Sequence, residues 1–153
     1  MNKELQVRWM NNQLIGLDVI INDTDIVKYI DIFCTQNNKL KNAFEKEYCL
    51  SYEGKSTLSG LLERYNDPWS EIQINDQLLL SDNSVVICGE GEMGNEGFIV
   101  RIDKNKNIKW CLYSTQSNPF MEITQKNNRI YVQSTSKFYV VLNPFDDEIS
   151  IIQ

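Results

Sequence analysis

The chain is predicted to be α+β, mainly an antiparallel β-meander, with an internal two-fold repeat in the C-terminal half and two or three helices in the middle third. Three observations predict this. A hairpin unit occurs twice, about 40 residues apart: Gly97-Phe98-Ile99-Val100-Arg101-Ile102-Asp103, a polar turn and Ile108-Lys109-Trp110 are answered by Lys137-Phe138-Tyr139-Val140-Val141-Leu142-Asn143, a polar turn and Ile149-Ser150-Ile151. From residue 71 onward the apolar residues recur with the period of two that belongs to strands. Between residues 26 and 65 they recur at spacings of three and four among polar residues, the period of helices.

Taken in order, Leu5 to Trp9 alternates apolar and polar and reads as a strand. Asn11-Asn12 turns it toward a second run, Leu14 to Ile21, so the chain is expected to open on a hairpin. Asn22-Asp23-Thr24-Asp25 offers N-cap oxygens to a helical stripe of Ile26, Tyr29, Ile30 and Phe33, although its β-branched content is also compatible with a strand. Leu40, Ala43, Phe44 and Tyr48 form a second stripe, predicting a helix near 38–48. Cys49 to Tyr52 reads as a short strand ended by Gly54. Ser56 is placed to cap a third helix with Leu58, Leu61, Leu62 and Tyr65, which Asp67-Pro68 stops because the residue before proline disfavours the α region. The later strands are expected at 71–80, 84–89, 98–103, 108–114, 120–124, 129–134, 137–142 and 149–152. No linker-like stretch divides the chain, so residues 1–153 read as a single domain: a strand hairpin plus helices over 1–70, and the repeated meander over 71–153.

Composition excludes more chemistry than it proposes. There is no histidine in the 153 residues, which removes Ser-His-Asp and Cys-His catalysis, histidine-ligated metals and the common pH switch. The cysteines, Cys34, Cys49, Cys88 and Cys111, lie far apart in apolar strings with no C-x-x-C, which favours reduced thiols over zinc or a disulfide framework. The segment Met1 to Arg8 is charged and lacks an apolar h-region, and no apolar run approaches the roughly 20 residues that span a bilayer. The protein therefore reads as cytoplasmic. Its formal charge is −6, with acids in excess over bases in both halves (12 to 8 over residues 1–76, 9 to 7 over 77–153). Such a field repels phosphate backbones and favours a basic protein as partner, although mild acidity also serves plain solubility.

The segment Gly89 to Gly97 carries four glycines and the carboxylates Glu90, Glu92 and Glu96. It is longer by about five residues than the corresponding reversal at Gln133 to Lys137, and long hairpin tips often carry binding function. A phosphate loop would need a helix to follow, but Phe98-Ile99-Val100 continues as strand. Two readings remain for the segment: a flexible, solvated hairpin or an acidic contact loop. Asp146, Asp147 and Glu148 form the acidic turn of the second copy. Carboxylates on exposed turns keep ordinary acidity, so neither group reads as an acid-base pair, and the spacing of a calcium loop is absent. Trp9, Trp69 and Trp110, with Tyr113, Phe120, Tyr131, Phe138 and Tyr139, either line an aromatic groove or pack a core, and strand spacing favours the core. Arg101, Lys104, Lys106 and Lys109 read as a solvated hairpin end.

Over residues 71–153, the order of strand, turn, aromatic-led strand, Asp or Asn, polar turn and closing strand resembles the outer part of a blade in quinoprotein-type propeller repeats. That resemblance implies local strand order; a ring needs about four blades, and this chain supplies two. In overall profile, being short, acidic, rich in Asn and Ile and without catalytic residues, the chain resembles the immunity proteins of bacterial toxin systems. This resemblance implies a non-enzymatic module, monomeric when free and without cofactor or metal, that neutralises a cognate toxin or binds another basic protein; nucleic acid and membrane are not implied partners. Glu90, Glu92, Glu96, Asp146, Asp147 and Glu148 are the expected contact residues. The alternatives are a small hydrolase using carboxylates alone and a propeller-like adaptor or structural subunit.

Overall fold

A computed structural model describes residues 2–36, 46–143 and 148–153. Its elements are α1 (Lys3–Met10), β1 (Gln13–Ile15), β2 (Val19–Asn22), β3 (Ile26–Gln36), β4 (Lys46–Thr57), α2 (Leu58–Arg64), β5 (Trp69–Glu71), β6 (Gln73–Leu79), β7 (Val85–Glu90), β8 (Gly97–Ile102), β9 (Ile108–Ser114), β10 (Phe120–Lys126), β11 (Arg129–Ser134), β12 (Tyr139–Leu142) and β13 (Ile149–Ile152). Every strand pairing is antiparallel. A seven-stranded sheet runs β4-β3-β2-β9-β8-β7-β6, a four-stranded sheet runs β10-β11-β12-β13, and β1 pairs with β5 in a two-stranded ribbon.

Alternation along each strand sends neighbouring side chains to opposite faces, and the central strands of the large sheet are apolar on both. Ile20, Ile99, Trp110 and Leu112 face the small sheet, where they meet Phe120, Ile130, Val132, Phe138 and Val140. Their sequence neighbours Val19, Ile21, Phe98, Val100, Cys111 and Tyr113 face the other way, onto Leu5 and Trp9 of α1, Leu58 and Leu61 of α2, and Leu14 and Ile15 of β1. The result is three layers with two cores.

The predominantly antiparallel β architecture agrees with the sequence, but several element assignments change. The expected first strand is α1: the Asn2 side chain accepts hydrogen bonds from the Glu4 and Leu5 amides, and Leu5 and Trp9, four residues apart, bury one helical face. The expected opening hairpin is thereby replaced. Its second run breaks at Gly16 into β1, which pairs with β5, and β2, which pairs with β3 and β9. The expected helix from residue 26 is β3. Asn22 does act as a local cap, but its oxygen holds the Thr24 and Ile26 amides in a turn, after which alternate β-branched residues feed both cores. Of the helix expected near 38–48, residues 37–45 lie outside the described residues, and residues 46–48 begin β4. Gly54 does not end that strand; it sits in a bulge within it. The third expected helix is α2, capped by Thr57 rather than Ser56. One described helix thus falls in the middle third, and the other opens the chain.

The meander of residues 71–153 divides between the two large layers, and strands of the first half complete the seven-stranded sheet. Both expected hairpins form. β8 and β9 pair Ile99 with Leu112, Val100 with Cys111 and Arg101 with Trp110. β12 and β13 pair Tyr139 with Ile152, Val140 with Ile151 and Val141 with Ser150, each partner 40 positions further along.

Cys88 on β7 and Cys111 on β9 are separated by β8 and point into different cores. Cys34 lies opposite Tyr48 and Cys49 opposite Phe33, so these two thiols also leave opposite faces of their ladder. All four are free; burial pushes the Cys88 and Cys111 thiols up to about 12, reinforced at Cys88 by the Asp76 carboxylate. Alkylation of the native protein should therefore modify exposed Cys34 first and half-buried Cys49 more slowly. Cys88 and Cys111 should react only after denaturation, when the mass should show four adducts without reductant; two or fewer would contradict this placement of the thiols.

Candidate protein interface at the acidic hairpin

The Gly-rich segment joins β7 to β8 at the side of the molecule where β5 and β6 lie. Three of its four glycines, Gly89, Gly91 and Gly97, answer to packing. A Cβ at Gly91 would overlap the Tyr113 hydroxyl, and one at Gly97 would come within 2.6 Å of the Asn118 carbonyl and 2.7 Å of Ser117 Oγ. Both positions let neighbouring chain come closer than any side chain allows.

Tyr113 fastens the segment from below. Its buried hydroxyl donates to Glu96 Oε1 at 2.7 Å and lies 2.8 Å from Ser70 Oγ. Burial raises the phenol pKa, and the neighbouring Glu96 carboxylate raises it further, so the hydroxyl keeps its proton and remains a donor. Glu96 Oε1 also accepts from the Met93 amide at 3.3 Å, and Ser70 Oγ accepts from the Glu92 amide at 3.4 Å. Glu92 Oε1 accepts from the Glu71 amide on β5, and the Asn95 carbonyl accepts from the Asn118 amide. These bonds make the hairpin an organised loop instead of a loosely solvated one.

The three glutamates expected to act together differ in situation. Glu96 is half-buried and committed to Tyr113; Glu90 is half-buried at the end of β7, opposite Gly97; Glu92 is exposed. Asp146 and Asp147 lie outside the described residues. Glu148 is exposed at the start of β13 and lines a cleft beside β4, whereas the hairpin adjoins β6, the opposite edge of the large sheet.

Sequence reasoning missed the apolar part of this corner. Met93 is 63% exposed at the loop tip, and Ile74, opposite Gly89, is 44% exposed on the edge strand β6. Met121, 47% exposed on β10, meets the neighbouring Asn75, whose amide donates to the Met121 sulfur at 3.3 Å and to the Phe120 carbonyl at 3.0 Å. The exposed carboxylates of Glu92 and Glu122 neighbour Met93 in the loop and Met121 on β10, and exposed Glu71 ends the adjoining β5. The signal lay in the period-two pattern, where Ile74, Met93 and Met121 fall at a bulge, a loop and a bulge.

Most of the aromatic residues serve the cores, whereas Tyr131 and Tyr139 lie in neither and pack edge-on against each other across β11 and β12, with ring centres 6.3 Å apart. Trp9 packs edge-on against Phe98 with ring centres 6.2 Å apart, and Phe120 against Phe138 at 6.3 Å. Trp69 is covered by the Arg8 guanidinium, 4.7 Å from the ring centre. At the basic turn, Asp103 accepts from the Asn105 and Asn107 amides, Lys109 lies 3.7 Å from Asp23, and Gln6 of α1 bonds Lys106 and Ile108. That turn docks the first helix.

Comparison with protein-family models, curated proteins and solved structures finds no match. The site therefore rests on its own geometry.

Tyr113→Phe should cost about 1–3 kcal/mol in urea denaturation, the usual consequence of stranding a buried polar partner, here Ser70. It should also speed amide exchange at Glu92 and Met93. Unchanged exchange would show that the hydroxyl does not hold the loop.

Proposed function

We propose that this chain is a non-enzymatic protein-binding module of the immunity type, which neutralises a cognate basic toxin, nuclease-like in charge, by covering it. The observation that carries this reading is the organised acidic corner: Met93 stands at the tip of a loop anchored through Glu96, Tyr113 and Ser70, with Glu92 bonded to the Glu71 amide and exposed Ile74 on the adjoining edge strand, opposite Gly89. Exposed apolar residues set among carboxylates on a fixed scaffold match the build of a binding surface, in which apolar contacts hold the complex and charges steer its formation. The excess of 21 acidic over 15 basic residues supports a basic partner, and a binder that blocks a surface needs no histidine of its own.

The inferred repeat belongs to the same reading. β6-β7-β8-β9 and β10-β11-β12-β13 are each four-stranded meanders, and their last hairpins share one register offset by 40 residues. The Phe138 face of the second meander packs on the face of the first that is opposite Phe98, so equivalent faces point the same way, as in successive propeller blades. This supports descent of the two meanders from one blade-like unit, used as a binding scaffold. The acidic hairpin is then an insertion in the first copy.

Capture from the native host followed by mass spectrometry should recover a basic partner. With that partner, Glu90→Gln combined with Glu92→Gln should slow association by about three- to tenfold at low salt and flatten its salt dependence. Met93→Ala should chiefly speed dissociation. Association and dissociation unchanged in both variants would remove this corner as the contact surface.

A further inference from the structure

At the opposite edge of the large sheet, a cleft of about 550 Å³ opens between β4 and β13, lined by Lys28, Tyr52, Gly54, Lys55, Glu148 and Ile149. The ends of the two strands are tied elsewhere: the Gln153 side chain accepts from the Tyr48 amide and donates to the Lys46 carbonyl. Lys28 lies directly opposite Lys55 on β4 and opposite Ile20 on β2. Cross-strand partners share a face, and Ile20 faces the small sheet, so both lysines stand on the face that elsewhere forms the inter-sheet core.

The bulge completes this grouping. Tyr52 pairs with Ile30 and Lys55 with Lys28, which makes Glu53 the extra residue and Gly54, at a φ of +150°, the point where the strand bends. In a regular strand, residues three apart point to opposite faces; here Tyr52 and Lys55 share one. Like charges directly opposite each other destabilise a sheet. Neither lysine has an ion pair or side-chain hydrogen bond among the described residues. The two ammonium groups face each other across the ladder, and Glu148 at the rim is the one carboxylate among the described lining residues, so the recess keeps an excess of positive charge.

We infer that this cleft binds a small organic anion, a carboxylate or phosphate monoester whose charged group lies between Lys28 and Lys55 while its body rests against Tyr52 and Ile149. The size suits a small molecule, since ligand pockets run from about 300 to 1,000 Å³. The Tyr52 phenol, its pKa raised by burial and by the Glu148 carboxylate, stays protonated and supplies a neutral donor. Glu148 at the rim disfavours multiply charged anions. The bulge interrupts the β4 edge, which disfavours an added peptide strand.

Amide-resolved NMR titration of the full chain tests this with phenyl phosphate, benzoate and neutral benzyl alcohol. Saturable shifts at Lys28, Tyr52, Gly54, Lys55 and Ile149 are expected with one or both anions, their relative affinities deciding between phosphate and carboxylate. Benzyl alcohol should give none. Lys28→Met and Lys55→Met should each weaken binding about tenfold or more, the effect of losing a charge-assisted hydrogen bond. Unchanged spectra away from the cleft would show that the variants remain folded. Absence of saturable shifts with either anion, an equal response to benzyl alcohol, or anion shifts centred on Lys104 and Lys106 would overturn the assignment. The acidic corner takes no part in this readout, so either site can fail alone.

Discussion

Burial of the seven-stranded sheet on both faces is the constraint from which most of this structure follows. A sheet covered on one side can alternate apolar and polar residues; here β7, β8 and β9 must be apolar at nearly every position, as in Val85 to Cys88, Phe98 to Val100 and Trp110 to Tyr113. A single-residue slip in register would exchange Val100 with Ile99 and present each to a core shaped for the other. Both faces need cover from elsewhere in the chain. The small sheet supplies one, and the other is assembled from α1, α2 and the β1–β5 ribbon. The ribbon is set by the Gly16 amide on the Pro68 carbonyl and the Ile72 amide on the Asn12 carbonyl.

The same requirement explains why polar groups inside the sheet recur as fasteners. Tyr113 ends the β9 run within the helix-side core, yet its hydroxyl emerges beneath the acidic hairpin and meets Ser70 and Glu96. Asp18 similarly receives the amide and hydroxyl of Thr115, at 2.7 and 2.8 Å, and secures the chain where it leaves β9. Such groups let a loop be held by a rigid layer instead of by its own contacts. A loop held in this way loses less conformational entropy on meeting a partner.

What was legible in the sequence was the strand content and order after residue 71, because period-two patterning bounded by polar turns has few other solutions. The N-terminal third was less legible, since its decisive signals are ambiguous in one dimension. Leu5 and Trp9 are compatible with strand alternation and with helical spacing, and the Asn2 cap tips the balance to a helix. Ile26 to Phe33 fits either period, and the vacancy beside β2 in the large sheet makes it a strand. The acidic loop was found from composition, but the inward commitment of Glu96 depends on Tyr113, seventeen residues away. Lys28 and Lys55 are 27 positions apart in the chain, and their juxtaposition exists only once β3 is a strand and the Gly54 bulge has set the phase of β4.

The two edges of the large sheet illustrate how one fold separates opposite chemistries. At β6 the bulge near Asn75 turns polar side chains toward β10: Asn75 reaches the Phe120 carbonyl, and Asp76 accepts from the Ile123 amide at 2.8 Å. Side chains thus replace ladder bonds between the sheets, closing that edge and leaving carboxylates and apolar tips on its outside. At β4 the bulge near Gly54 brings exposed Lys55 onto the same face as Lys28 of β3 at the point where β13 diverges, and the edge remains open as a cleft. Each bulge adds one residue to a strand, and each changes which side chains face the neighbouring layer. The net acidity of the chain is therefore unevenly distributed, with a charged outer corner at one edge and a basic recess at the other. A basic macromolecule and a small anion would meet different surfaces of the same sheet.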